Sequence, residues 1–150
     1  MTEDPPRLSR IMGRDHRDLD ELWARVVATP ATDREGRRPR FAAFRTGLLA
    51  HIAEEEEHLF PVLDETDPAL RKLAARLLDE HREIRGILDQ IDRAFSSGSG
   101  EIEALGLELV NVLGEHNARE EGFVYPWLDG HLSADQVRDV QRRLDRGERE

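Results

Sequence analysis

The chain has 150 residues, the size of one ordinary domain, and is long enough to bury a hydrophobic core without a disulfide. Its formal net charge of −10 argues against nucleic acid or an anionic membrane as a partner. It contains no cysteine, which excludes disulfides, thiolate nucleophiles and cysteine-ligated clusters, and its few aromatics favour helices over strands.

The first half of the chain predicts two long helices. Apolar residues recur at helical spacing over 8–26 and again over 41–62. The intervening stretch 29–39 is rich in Thr, Pro, Asp, Gly and Arg, which predicts a loop. The basic residues of this loop are predicted to be solvated: Arg34, Arg37, Arg38 and Arg40.

The second half predicts two further long helices and a short fifth one. Asp67 followed by Pro68 is a helix-start signal, and the third apolar stripe runs over 70–95. The segment 96–100, Ser-Ser-Gly-Ser-Gly, predicts a flexible break before the fourth stripe over 102–127. A capping box from Ser133 to Gln136 opens the short fifth helix. The sequence therefore predicts an all-α fold: an up-down-up-down antiparallel four-helix bundle with a short C-terminal fifth helix.

Ionisable residues interrupt the apolar stripe of every predicted long helix. One histidine lies near the midpoint of each helix: His16, His51, His81 and His116. A glutamate follows four residues after the histidine in the second and fourth helices: Glu55 and Glu120. In an up-and-down bundle the four midpoints share one layer, so we expect these six side chains to converge.

The two halves of the chain match without a gap at an offset of 65 residues. His16 aligns with His81, and the stretch 51–61, from His-x3-Glu to Leu-Phe-Pro, aligns with 116–126. All six candidate ligands have a repeat partner of the same type, so the simplest site holds two equivalent metals.

The His-x3-Glu spacing suits a pair of metal ions. Four residues advance about 6 Å along a helix and about 40° around it, so both side chains face the core one turn apart. Each imidazole can cap one metal, while the carboxylates bridge both. With one bridging oxo or hydroxo group, each ion has five ligands, and an octahedral ion keeps one open position. Nitrogen and oxygen ligands without thiolate favour two iron ions, with Mn or Zn as weaker alternatives.

These residues resemble the hemerythrin-like, HHE cation-binding domain family over roughly 8–132. The resemblance rests on a lone His, then His-x3-Glu, and then the same pattern again, with Leu-Phe-Pro and Tyr-Pro-Trp after the two glutamates. It implies that the four histidines are terminal metal ligands and that both glutamates are bridges. It also implies contact with dioxygen, peroxide, nitric oxide or iron.

Two departures from the family pattern argue against simple reversible oxygen carriage. The oxygen-carrying members have a fifth histidine one turn after the third ligand, where this chain has Arg85. Their last carboxylate is an aspartate five residues after its histidine, whereas Glu120 follows by four. The iron–sulfur repair branch is also not expected, because it adds a histidine and a cysteine-bearing segment.

Several other polar or aromatic residues are expected to be structural. His58 is interpreted as a residue on the face of His51, and His131 as solvent-facing. The acids of the second helix are interpreted as its solvated side: Glu54, Glu56 and Glu57. The large aromatics are interpreted as packing: Trp23, Tyr125 and Trp127. The repeat pairs Asp20 with Arg85. Either these two residues form a surface ion pair, or Arg85 reaches the open metal position.

The domain prediction is a disordered segment 1–7, a hemerythrin-like bundle over 8–132 and a C-terminal helix and tail over 133–150. The functional prediction is a di-iron protein that binds or reacts with dioxygen, peroxide or nitric oxide, with no catalytic residue assignable beyond the ligands. The alternatives are an iron-buffering regulatory module without turnover and a structural protein. In the last case the face Val137, Val140 and Leu144 either caps its own bundle or forms a homodimer. A cytoplasmic location is expected, since neither a signal peptide nor an apolar span is evident.

Overall fold

A computed structural model describes residues 6–65 and 67–149, with side chains up to 146. Within these ranges the chain is all-helical, as predicted, and residues 1–5 of the segment predicted to be disordered lie outside them. The helices are α1 Leu8–Ala28, α2 Arg34–Glu54, α3 Phe60–Asp64, α4 Pro68–Ser97, α5 Ile102–Arg119, α6 Tyr125–Asp129 and α7 Ala134–Arg149. None of these helices combines the length and the apolar character needed to cross a bilayer.

The helix boundaries in the second half follow the predicted signals. Asp67 caps α4 by accepting a hydrogen bond from the backbone N–H of Leu70 at 2.9 Å. Gly98 ends the same helix with a positive φ of 74°, a conformation that glycine adopts without steric cost. At the start of α7, Ser133 and Gln136 exchange hydrogen bonds at 2.8 and 3.1 Å, so the capping box is confirmed.

The predicted loop over 29–39 is wrong in its second half. Asp33 accepts a hydrogen bond from the N–H of Gly36 at 3.0 Å and starts α2 at Arg34. Arg37 is buried rather than solvated, because its guanidinium donates to the carbonyl of Thr29 at 2.9 Å and to Glu103 at 2.6 Å. The basic run therefore belongs to the first turns of a helix.

A π-helical turn interrupts both helices that carry the His-x3-Glu motif. The first π turn, Glu55–Leu59, joins α2 to α3, and the second, Glu120–Val124, joins α5 to α6. The N–H of Phe60 donates to the carbonyl of Glu55, and the N–H of Tyr125 to that of Glu120, which are i→i+5 bonds. Phe60 and Tyr125 therefore lie one wide turn beyond the glutamates, on the same face.

The extra residue in each π turn changes which side chains face inward. Phe123, predicted to be in the apolar stripe, is 50% exposed, while Val124 and Tyr125 are fully buried. In the first half, His58 is rotated out to solvent, with a side chain that is 39% exposed. The prediction that His58 shares the face of His51 is therefore wrong, since it assumed an uninterrupted α-helical period.

The hydrophobic core consists of two clusters of buried side chains with a polar layer between them. One cluster contains Met12, Leu59, Leu77 and Val124. The other contains Leu19, Leu48, Ile84 and Leu109. The predicted metal ligands fall between these positions on each helix, so they occupy the layer that separates the two clusters.

Helix α7 packs onto its own chain. Val137, Val140 and Leu144 are all buried in the first apolar cluster, so this face packs against the rest of its own chain. On the same helix, Arg143 makes hydrogen bonds of 2.7 to 3.0 Å with Glu54. Glu54 is 5% exposed, which contradicts the interpretation of this residue as solvated.

Candidate metal centre

All six predicted ligands are at most 4% exposed and lie together in the polar layer. They form two groups in which one ligand atom of each residue lies within 4.8 Å of the others. The first group is His16, His51 and Glu120. The second group is Glu55, His81, His116 and Glu120. The structure thus brings every predicted ligand into one of two adjoining half-sites that share a glutamate.

Each half-site is built around a pair of imidazole nitrogens. The Nε2 atoms of His16 and His51 lie 3.1 Å apart, and those of His81 and His116 are also 3.1 Å apart. Each pair combines the lone histidine of one helix with the histidine of a His-x3-Glu motif. The equal separations follow from the internal repeat.

The two carboxylates extend between the half-sites. One oxygen of Glu55 lies 3.1 Å from Nε2 of His81, and the other lies 3.7 Å from Nε2 of His51. Oε1 of Glu120 lies 3.4 Å from Nε2 of His16 and 3.3 Å from Nε2 of His116. Both glutamates therefore reach both halves, which is the arrangement that bridging ligands require.

A carboxylate contacts the outer nitrogen, Nδ1, of each of the four imidazoles. The four pairs are His51 with Asp15 at 2.6 Å, His81 with Glu56 at 2.7 Å, His116 with Glu80 at 3.0 Å and His16 with Glu121 at 3.2 Å. An imidazole that donates through Nδ1–H presents the lone pair of Nε2 to the centre of the layer. Glu56 was interpreted as solvated, and that interpretation is wrong.

Two of the four imidazoles, those of His51 and His116, favour the protonated form when no metal is present. Burial alone would lower the pKa of His51, but Glu55 and Asp15 raise it well above its usual range. Burial likewise opposes the charged form of His116, but Glu120 and Glu55 raise its pKa to about 10. Burial would raise the pKa of Glu55, yet the charge of His51 and the surrounding hydrogen bonds hold it well below its usual range.

Comparison with known proteins identifies the family of the chain. The hemerythrin HHE cation-binding domain matches residues 7–128 and, in a second match, residues 75–149. The chain belongs to the hemerythrin HHE family. Searches of curated proteins and of solved structures gave no significant match. The second match begins inside α4, as expected if the second half repeats the helix-pair pattern of the first.

The residues of this hemerythrin-like domain fit a bound cation. Oε2 of Glu120 is buried, and among the described residues it has no hydrogen-bond partner. An unpartnered buried carboxylate oxygen is costly unless a charged group compensates it. Imidazole nitrogens and carboxylate oxygens are the donor set that iron, manganese and zinc accept in proteins. A cation between these groups would supply the missing partner.

Sequence reasoning also missed the role of Tyr125, which it interpreted as packing. Its hydroxyl donates to Oε2 of Glu55 at 2.7 Å and lies 3.1 Å from Oε1 of Glu120. It also lies 3.2 and 3.3 Å from Nε2 of His16 and His51. The one available signal was in the repeat, which pairs Tyr125 with Phe60 and so adds one hydroxyl at the end of the second motif.

Both interpretations of Arg85 are wrong in the structure. Arg85 neither pairs with Asp20 nor reaches the ligand atoms, because its guanidinium holds Glu56 through two hydrogen bonds of 2.9 and 3.1 Å. Glu56 in turn contacts His81. Arg85 thus acts on the centre through the carboxylate that orients a histidine.

Proposed function

We propose that this hemerythrin-like protein is a non-haem di-iron protein that binds or reacts with dioxygen, peroxide or nitric oxide, in sensing or detoxification. The observation that carries the proposal is the pair of half-sites, each with two Nε2 atoms 3.1 Å apart and both contacted by Glu55 and Glu120. Nitrogen and oxygen ligands support iron over softer metals. When bound, an iron pair supplies positions for small ligands and one-electron chemistry.

The finer architecture belongs to the same proposal. We infer that α1, α2 with α3, α4, and α5 with α6 run up, down, up and down as four antiparallel rods over 8–132. In that arrangement the two rods with His-x3-Glu run in the same direction, so both glutamates are displaced to the same side of their histidines. The shared contacts of Glu120 with His16 and His116 support this. A cytoplasmic location stays a prediction.

The test is metal analysis of the full chain grown with iron, with absorption spectra before and after addition of hydrogen peroxide or azide. We expect two iron ions per chain and near-ultraviolet absorption that both reagents change. His116→Ala should lose iron, whereas His58→Ala should keep it, because His58 lies at the surface, away from the ligand cluster.

Two results would contradict the proposal. Fewer than two bound ions in the wild-type chain would exclude a metal pair. Two bound irons with spectra unaffected by peroxide, azide and nitric oxide would favour the alternative, an iron-buffering regulatory module without turnover.

A further inference from the structure

Tyr125 is the single tyrosine of the chain, and its side chain is fully buried within the metal layer. Its hydroxyl lies within 3.3 Å of four ligand atoms, one from each of His16, His51, Glu55 and Glu120. A tyrosine that served only to fill the core would need one hydrogen-bond partner for its hydroxyl. This hydroxyl lies instead among the atoms that would surround one metal ion.

The internal repeat pairs Tyr125 with Phe60, so at this position the two half-sites differ by one hydroxyl. The ring of Phe60 stacks on His81 with centroids 5.2 Å apart, and the ring of Tyr125 lies 5.6 Å from that of His16. Both rings occupy the position directly after a π turn. The half-site of His81 and His116 therefore has an apolar ring edge where the half-site of His16 and His51 has a phenol oxygen.

The separations around the first half-site come near those of an octahedral ion, with Glu55 as the outlying ligand. Ligands held about 2.1 Å from such an ion are about 3.0 Å from each neighbouring ligand. Around the first half-site, His16 is 3.1 Å from His51 and 3.4 Å from Glu120, and His51 is 3.7 Å from Glu55. The phenol oxygen is 2.7 to 3.3 Å from all four. It thus lies where a fifth ligand, adjacent to each of the others, would lie.

We propose that Tyr125 is a direct metal ligand, bound as phenolate to the ion of the His16 and His51 half-site, so that the two ions are inequivalent. The inference rests on the proposed di-iron function and adds a seventh protein ligand to it. When the oxygen–metal bond forms, the O–H bond breaks and its proton leaves to solvent. Neither the tyrosine nor the metal changes its oxidation state.

The metal-free state is consistent with this assignment. Burial and the charges of Glu120 and Glu55 raise the pKa of Tyr125 well above its usual range, so without metal the phenol keeps its proton and donates to Glu55. A bound cation is the largest local charge in such a site and reverses that preference. The hydrogen bond then gives way to a bond between oxygen and metal.

The asymmetry determines which ion meets a small ligand. An ion beside His81 and His116 would have no fifth protein ligand, because Phe60 lacks a hydroxyl. An ion beside His16 and His51 would have one coordination position fewer left for a small ligand, because Tyr125 occupies it. Dioxygen, peroxide or nitric oxide is therefore expected to bind first at the His81 and His116 ion.

The experiment compares the ferric, iron-loaded wild type with Tyr125→Phe and with Trp127→Phe, a control on the same helix whose ring stacks on His131 instead. Tyr125→Phe recreates the residue found at position 60, so we expect it to pack. The wild type and the control should show a visible phenolate-to-iron(III) charge-transfer band, and Tyr125→Phe should lose it completely.

A second measurement tests Tyr125 as a ligand without any variant. It records resonance Raman spectra of wild-type protein made with ring-deuterated tyrosine. The enhanced ring vibrations should shift, and Tyr125 is the only residue that could carry the label. A redox-inert trivalent ion such as Ga³⁺ should also produce the ultraviolet difference spectrum of an ionised phenol.

The outcomes distinguish this inference from the function on which it rests. Two bound irons in the wild type without a phenolate band, or a band that persists in Tyr125→Phe, would overturn the ligand assignment alone. A wild type that does not bind two irons would overturn the proposed function and the ligand assignment with it.

Discussion

Four carboxylates orient the four imidazoles of the centre, and each is adjacent in sequence to a ligand. Asp15 and Glu80 immediately precede the lone histidines, while Glu56 and Glu121 immediately follow the glutamates. Each contacts an imidazole from another helix, for example Asp15 in α1 with His51 in α2. The repeat pairs these acids, but the sequence does not distinguish an acid that crosses to a neighbouring helix from one that faces solvent.

Glu80 offers the clearest test of this outer layer. It contacts His116 and is held in place by an ion pair with Arg119. Burial alone would raise the pKa of Glu80, but the hydrogen bonds from Arg119 and His116 lower it, so it is a carboxylate at neutral pH. We expect Glu80→Ala to weaken metal binding by roughly 10–100-fold, the usual effect of removing such a partner.

The measurement is a competition titration of metal affinity against a chelator. Glu83→Ala is the matched control, since it removes an exposed acid from the same helix and should leave the affinity unchanged. Equal affinities of Glu80→Ala and the wild type would exclude an orienting role for Glu80.

At the scale of the helices, the starts of α4 and α7 were predictable, whereas the start of α2 and the two π turns were not. Capping residues act locally, so Asp67 and Ser133 marked the starts of α4 and α7 from sequence alone. A π turn has no such marker, because its extra residue is stabilised by what the displaced side chains pack against. The sequence therefore placed the candidate ligands, which lie up to the first residue of each π turn, but misplaced Phe123 inside the second π turn and Tyr125 directly after it.

The two places where the repeat units meet also differ. At one of them a basic residue faces an acid, and at the other two acids lie together. At the first of these places Arg85 of α4 clamps Glu56. At the equivalent place in α1 the residue is Asp20, and it lies with His16 and Glu121 along a groove of about 430 Å³. Burial and Glu121 raise the pKa of Asp20, although His16 partly offsets this. Asp20 and Glu121 are both acids and cannot form the ion pair that Arg85 forms with Glu56, so the groove beside His16 stays open.

Asp20→Arg should close this groove by pairing with Glu121 as Arg85 pairs with Glu56. We expect azide to bind the ferric protein several-fold more slowly, with little change in iron content, because the groove that borders His16 is then narrower. Stopped-flow absorption measures the rate. Glu21→Arg makes the same change in net charge on the same helix without lining the groove, so an equal slowing in that variant would attribute the effect to net charge instead.

At the scale of the molecule, the polar layer that contains the candidate ligands lies between two apolar clusters. The clusters supply the burial that folds the chain, and the layer places six ionisable residues at most 4% exposed between them. Without metal, protonated imidazoles balance the carboxylates. His51 and His116, whose pKa values are raised, carry that balance, and metal must displace their protons to bind.

The raised pKa values of His51 and His116 make the stability of the metal-free protein depend on pH. The pKa of His116 is about 10 in the fold against an ordinary value of 6.5, so its stabilising contribution is complete below pH 6.5 and is lost as the pH rises through 10. The loss is on the order of a few kcal/mol, and each kcal/mol is worth about 2–4 °C in Tm for a chain of this size.

We therefore expect the Tm of chelated protein to fall between pH 6.5 and 9.5. The Tm of preloaded protein should fall less, because metal binding tightens as competing protons leave, so the gap between the two forms should widen with pH. Calorimetry on matched samples measures both values. A chelated protein whose Tm is flat or rises over this window would show that the imidazoles are neutral without metal, and that the buried carboxylates are balanced by some other charge.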